Sequence, residues 1–210
     1  MSRRRLPAEE AKTIILNHAK LLFIEKGYDR ATMDDLCTLT QMSKGNLYHH
    51  FKNKEVLFLQ LLTRHSEQMS QKWLHLAEQS NSPGQQLLEM AELFGRDCES
   101  PLLRALEEYA RTLSSESEAL TTLREITDAA YRSIKQVLQK GIDQGVFIKE
   151  DIDTLSFGVM STMAGATQLC LTMPKLSGEE YAALHVKAIK LLLNGISIDA
   201  PTEKMRPHLL

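Results

Sequence analysis

The sequence predicts an all-α fold, and three features predict it. Apolar residues recur at three- and four-residue steps, as in Ala11, Ile15, Ala19, Leu22 and Phe23, or Phe58, Leu62, Met69, Trp73 and Leu76. That spacing aligns one face of a 3.6-residue helix. Pro83, Pro101 and Pro174, with Gly27, Gly84, Gly141, Gly145 and Gly178, fall between such stretches and end them. No segment alternates apolar and polar residues as a half-buried strand does, and there is no repeat or low-complexity tract.

The elements follow in order. Ser2 to Pro7, with three consecutive arginines, reads as an arm: either a solvated tail or a segment that orders on phosphate or in a minor groove. The first helix is expected over Ala8–Lys26, with Gly27 as its C-terminal cap. Thr32 caps a short second helix, and Asp35 three residues later completes a capping box. Asp34 and Asp35 also meet the positive end of the helix dipole. Leu36 and Leu39 are expected to form its buried edge, and Thr40-Gln41-Met42 to make a turn. Ser43 caps a second short helix that offers Leu47 and Phe51 to a core.

Asn53 opens a long helix to about Glu78. From Lys54 to Trp73 it would span roughly 28 Å at 1.5 Å per residue. Ser80-Asn81-Ser82-Pro83-Gly84 is a loop. Helices are then expected at about Gln85–Glu99, Leu102–Thr112, Glu116–Lys140, Asp153–Thr172 and Glu179–Asn194. Ser115 with Glu118, and Ser177 with Glu180, read as capping boxes. The count is nine helices, followed by a frayed tail from Ile198 to Leu210.

Composition bounds the function. The chain has 210 residues, 43% hydrophobic and 25% charged, an ordinary globular balance. It has no apolar run long enough for a bilayer, and its basic start lacks the apolar segment of a secretory signal. A cytoplasmic protein with no membrane partner is expected. Cys37, Cys98 and Cys170 are widely spaced, which suggests buried thiols rather than a disulfide framework. His49 and His50 point about 100° apart on a helix and cannot share one metal. No metal or cofactor is expected. Nor is catalysis, since there is no Gly-rich phosphate loop, nucleophile elbow or His-Glu metal signature.

Net charge is −2, but it is unevenly distributed. Residues 1–65 hold eleven Lys/Arg and seven Asp/Glu, a net of +4; residues 66–210 hold fourteen and twenty, a net of −6. A basic head on an acidic body is the asymmetry expected when only the head meets phosphate. Within the head, the second short helix turns Lys44, Gly45, Tyr48 and His49 outward. A solvated face usually carries Glu and Lys pairs; this one carries groups suited to phosphates and base edges, and Gly45 permits close backbone approach. Two short helices joined by a tight turn, the second presenting such groups, form a helix-turn-helix for double-stranded DNA. A surface hairpin with no partner is the bland alternative.

The same residues carry a resemblance. Phe23-Ile24-Glu25-Lys26-Gly27-Tyr28, Ala31-Thr32, Ser43-Lys44-Gly45-Asn46-Leu47-Tyr48-His49-His50-Phe51-Lys52-Asn53-Lys54-Glu55 and Leu57-Phe58 resemble the N-terminal domain of the TetR family of bacterial repressors. The likeness is dense from Ala11 to Leu62, faint beyond it, and closest to the family's QacR-like, multidrug-binding branch. It implies a DNA-binding domain over residues 1–53, a ligand-binding and dimerisation domain over 54–197, and a tail over 198–210. It also implies phosphate anchoring by Thr32, Ser43, Tyr48, His50 and Lys54, and base contacts by Lys44 and Gly45. His49 stands where that branch has tyrosine, so its DNA contact differs. The implied function is a homodimeric repressor of an efflux gene, released from a palindromic operator by a small-molecule inducer.

Two features bear on the inducer and the dimer. Glu89, Glu92, Asp97, Glu99, Glu107 and Glu108 crowd two helices, interleaved with Phe94 and Tyr109, while Met90, Met160 and Met163 are available to the same region. Carboxylates turned inward among aromatics and methionines suit a lipophilic cation; turned outward they are a solvated face. The candidate ligand-binding residues are Trp73, Glu89, Phe94, Glu107, Tyr109, Tyr131 and Met163. The segments Asp153–Thr172, rich in small residues, and Glu179–Asn194, with a wide apolar stripe, are the dimerisation candidates. A TetR-like repressor sensing a neutral metabolite, and a helical small-molecule carrier that binds no DNA, are the alternatives.

Overall fold

The computed structural model describes residues 7–80, 82–98, 100–172 and 176–197. The arginines of the arm, the tail from Ile198, and Asn81, Glu99 and Pro174 lie outside the described residues. Among the described residues the chain forms nine helices: α1 (Ala8–Arg30), α2 (Met33–Thr40), α3 (Lys44–His50), α4 (Lys54–Glu78), α5 (Pro83–Asp97), α6 (Pro101–Ala110), α7 (Ala119–Asp143), α8 (Ile152–Thr172) and α9 (Gly178–Ile196). The extended pairing found among them is a bridge between Phe147 and Ser197. No helix among them is long and apolar enough to cross a membrane. The expected all-α, nine-helix fold is what forms among the described residues.

The helices make two compact units, Met1–Gln68 with Ser100–Thr127, and Met69–Glu99 with Asp128–Leu210. Helices α4 and α7 each contribute residues to both. The first unit is built on the α1 stripe, with Ala11, Ile15, Ala19, Leu22 and Phe23 all buried. Gly27 breaks α1 at φ 74° and ψ 178°, and a short turn continues to Arg30. The positive φ suits glycine, and a Cβ there would collide with the Glu108 carboxylate of α6. Asp29 N donates to that carboxylate at 3.1 Å. Phe23, Tyr28, Phe58 and Tyr109 form an aromatic cluster, with ring centroids 4.7 to 5.9 Å apart in each contact. Such pairs each add about 0.5–1.5 kcal/mol beyond area burial.

In the second unit α9 packs against α5 and α8. Its core holds Trp73, Leu87, Met90, Ile134, Leu138, Phe147, Val159, Met163 and Ile189. At Gly95 a Cβ would meet the Ala182 backbone at 2.5 Å, so α5 and α9 come this near because glycine stands there.

Three expectations are corrected. Leu39 is 45% exposed, because the buried side of α2 centres on Met33, Leu36, Cys37 and Thr40. Leu39 points about 110° away from that centre. Met69 and Leu76 of the α4 stripe are half-buried, although Phe58, Leu62 and Trp73 are buried as expected. Helix α7 starts at Ala119, so Ser115 and Glu118 do not frame its first turn. Instead the Ser117 hydroxyl accepts from Ala119 N at 3.3 Å.

Candidate nucleic-acid interface

The geometry of the head starts from two caps. Thr32 Oγ1 accepts from Asp35 N at 3.1 Å, and Asp35 Oδ2 accepts from Thr32 N at 3.1 Å, closing the capping box on α2. Asp35 is further held by the Lys26 ammonium at 2.7 Å. That contact, with the Thr32 hydrogen bonds, keeps its carboxyl below the usual carboxylate range. The turn closes at Gln41, in the left-handed conformation with φ 55°, whose N–H donates to Thr38 O. Thr40 assists, its hydroxyl donating to Leu36 O at 2.7 Å and accepting from Met42 N at 3.4 Å. Ser43 Oγ then accepts from Asn46 N at 3.3 Å to start α3.

Leu47 and Phe51 are fully buried and fix the rotation of α3. Lys44, Gly45, Tyr48 and His49 are therefore turned to solvent. Tyr48 is 47% exposed, and no atom comes within 4 Å of a Cβ built on Gly45. Lys44 Nζ lies 2.8 Å from Asp34 of α2 in an exposed pair, and the hydrogen bond to Asp34, then its charge, raises the lysine pKa. The Thr32 hydroxyl donates to Asp35 at 2.8 Å. Ser43 uses its oxygen as an acceptor and keeps its proton for another partner. His50 is half-buried, its ring 5.4 Å from that of His49.

Lys54 is placed differently from the other seven. Its ammonium donates to Tyr28 O at 2.8 Å and Asp29 O at 3.4 Å, and lies 4.2 Å over the Tyr28 ring. It braces the end of α1 against α4 rather than standing free at the surface. Beside it Tyr109 of α6 donates to Glu55 Oε1 at 2.9 Å. Burial, reinforced by the Glu55 and Asp29 charges, pushes the Tyr28 phenol up to about 12, and burial with the Glu55 contact pushes Tyr109 upward as well. The sequence names Asp34, Glu55 and Glu108 but not these contacts. Their partners are 10, 54 and 79 residues away, beyond any local pattern.

The candidate ligand residues are divided between the units. Glu107 and Tyr109 belong to the first: Glu107 pairs with Arg111 at 2.5 Å on the helix surface, and Tyr109 is fully buried among aromatics. Trp73, Glu89, Phe94, Tyr131 and Met163 belong to the second. Trp73 and Met163 are buried in its core with Phe94 packed against it, and Trp73 Nε1 donates to Gln86 O at 3.4 Å. Tyr131 donates to Asp153 O at 3.2 Å. Glu92, Asp97, Glu107 and Glu108 are half-buried, with Glu92 paired to Arg96 and Glu108 used as an acceptor for Asp29. Glu89 differs. Its Oε1 accepts from Gln85 at 3.1 Å, while Oε2 is buried with no hydrogen-bond partner among the described residues.

The cysteines are not dispersed as their spacing suggests. Cys98 and Cys170 come together beside His185 in the second unit, while Cys37 lies in the first.

Comparison with known proteins adds to this geometry. Residues 15–61 match the model of bacterial regulatory proteins, tetR family, and residues 65–198 match the QacR-like protein, C-terminal region. The HTH-type transcriptional regulator QacR of Staphylococcus aureus is 45% identical over 62 residues, 30% of this chain and 33% of that protein. The HTH-type transcriptional regulator UidR of Escherichia coli is 36% identical over 67 residues, 32% of this chain and 34% of that one. The chain thus spans about a third of the length of these curated relatives. A crystal structure of a TetR-family transcriptional regulator from Pectobacterium atrosepticum is similar with a TM-score of 0.74, 22% identity, and 94% and 100% of the two chains covered. A putative transcriptional regulator from Saccharomonospora viridis, in complex with choline, gives 0.72, 21%, and 87% and 96%. These two likenesses show the fold.

Proposed function

The chain belongs to the TetR family of bacterial transcriptional regulators, and from that premise we propose that it is a homodimeric, ligand-responsive repressor that reads duplex DNA through α3. The observation that carries the reading is the division of α3. Leu47 and Phe51 anchor it, while Lys44, Gly45, Tyr48 and His49 stand exposed on one short, doubly capped helix-turn-helix. Lys44 and Gly45 face base edges; Thr32, Ser43, Tyr48 and His50 hold phosphates. Lys54 orients the supporting loop. Residues 1–53 form the DNA-binding domain and 54–197 the effector and dimerisation domain.

The dimer is formed by α8 and α9. Phe157 and Leu169 on α8, at 70% and 59% exposure, and Leu191 on α9, at 74%, leave large apolar side chains uncovered. Gly158 and Gly165 of α8 have no neighbour near a built Cβ, which leaves room for a second helix. A single basic head binds weakly, and pairing two heads on a palindromic operator supplies the missing affinity.

The effector is a lipophilic cation, as for a biocide- or drug-responsive efflux repressor. Supporting this are the unpartnered Glu89 oxygen in the unit that holds Trp73, Phe94 and Met163, the QacR-like region, and the choline bound by the S. viridis protein. An effector in the second unit acts on the first through α4 and α7, which belong to both, and changes the spacing of the two heads. By linkage, DNA weakens effector binding by the same factor. The arginine pairing of Glu92 and Glu107 favours a second reading, a neutral metabolite as effector.

Titrating labelled duplex at increasing salt tests the DNA reading. Affinity falls steeply as counterions are released, and a flat profile contradicts it. Glu89→Gln weakens a cationic effector more than a neutral one, and equal loss favours the second reading.

A further inference from the structure

We infer that Cys98, Cys170 and His185 form a binding site for a thiophilic d10 cation, Zn(II) or Cu(I), in the second unit. Their donor atoms, two Sγ and one imidazole nitrogen, all lie within 4.8 Å of one another. Cys98 Sγ stands 3.8 Å from His185 Nε2. Two ligands bound to one ion through bonds of about 2.3 Å to sulfur and about 2.0–2.1 Å to nitrogen sit about 3.5–3.8 Å apart at tetrahedral to trigonal angles. The observed separation falls in that range with no ion needed to draw the groups together.

The imidazole is set for the task. His185 Nδ1 lies 2.9 Å from the Tyr181 carbonyl, which can only accept, so Nδ1 carries the proton. Nε2 is then the lone-pair atom, and it is Nε2 that faces the thiols. A ring N–H given to a backbone carbonyl is the usual support of a metal-bound histidine. Thr167 Oγ1 lies 3.2 Å from Nε2 and donates to it, so it must swing aside when an ion arrives. Cys98 Sγ also lies 3.6 Å from Phe94 O.

Burial and charge agree. His185 is 1% exposed and Cys170 8%, which excludes competing water, while half-buried Cys98 gives an entry. On binding, each thiol releases a proton to solvent, and two thiolates with a neutral imidazole balance a divalent charge. Soft thiolates with one imidazole select Zn(II) or Cu(I) over the hard cations. The ligands come from the C-terminal cap of α5, from α8 and from α9, so the ion cross-links three helices distant in sequence.

The test titrates Co(II) into the reduced full-length protein, then Zn(II), with Cu(I) assayed separately against a chromophoric chelator. One equivalent of Co(II) gives thiolate charge-transfer absorption and intense visible bands, and Zn(II) removes both. Cys98→Ser and Cys170→Ser weaken binding by more than the roughly 10–100-fold typical of losing an outer-shell partner. Cys37→Ser leaves the titration unchanged. Circular dichroism shows that each variant is folded; half-buried Cys98 keeps the test usable if the variant at buried Cys170 is not. Zn(II) alone and Cu(I) alone each support the site and identify its ion. Absence of thiolate bands with no binding of either ion overturns it, as does binding that survives Cys98→Ser. So does a protein that binds none of the ions when reduced and joins Cys98 to Cys170 when mildly oxidised.

Discussion

The Tyr109 phenol of α6 donates to the Glu55 carboxylate in the first turn of α4 at 2.9 Å, one residue from Lys54 and eleven from Lys44. Helix α6 is therefore part of the structure that holds the helix-turn-helix, together with Glu108, whose carboxylate accepts from Asp29 N. Tyr109→Phe removes one hydrogen bond to a charged group and keeps the ring in its aromatic cluster. Urea denaturation should show a loss of about 1.5–3 kcal/mol. An unchanged midpoint would mean that ring packing alone joins α6 to the head.

Alkaline titration reads the same joint. Tyr28 is pushed up from 10.0 to about 12, by burial first and then by the charges of Glu55 and Asp29, and Tyr109 is also raised. A raised phenol favours the neutral form in the folded state. Its contribution is complete below the unfolded value near 10 and disappears as pH rises toward the folded value. Ultraviolet titration of the native protein should show the two groups ionising late. The unfolding midpoint should be insensitive to them at pH 9 and fall above pH 10.

Gly45 separates folding from recognition. Because no described residue lies near its missing Cβ, Gly45→Ala should be tolerated or stabilising by about 0.5–1 kcal/mol. Its DNA affinity should fall, since the glycine is there for a partner. Unaltered affinity in anisotropy titrations would remove Gly45 from the interface.

Lys44 and Asp34 make an exposed pair on neighbouring helices. Lys44→Ala should reduce discrimination between the preferred and a random duplex by about 5- to 150-fold. Equal losses on both would assign Lys44 to phosphate. Asp34→Asn should raise affinity at low salt by freeing the lysine and removing a like charge to DNA, and the gain should vanish at high salt.

What the sequence disclosed was local. Thr32 with Asp35, Ser43, Asn53 and Ser177 with Glu180 all cap helices as expected, because a cap involves residues three apart. The Ser115–Glu118 box failed because Ser117 offers its hydroxyl two residues nearer the helix. The exposed face of α3 was legible because Leu47 and Phe51 fix the rotation of α3 by themselves. The grouping of the candidate effector residues was less so: Glu107 and Tyr109 follow Phe94 closely in sequence, yet α6 packs in the first unit and α5 in the second. Cys98, Cys170 and His185 lie on three helices, a grouping that no spacing rule encodes.

The most direct measurement of the central claim is selection of duplexes from a random pool by the purified protein. Enrichment of a two-fold symmetric site, with half-sites about one helical turn or more apart and discrimination lost in Lys44→Ala, is the predicted result. No enrichment, with equal affinity for every duplex, would contradict the assignment of α3 as a sequence-reading helix.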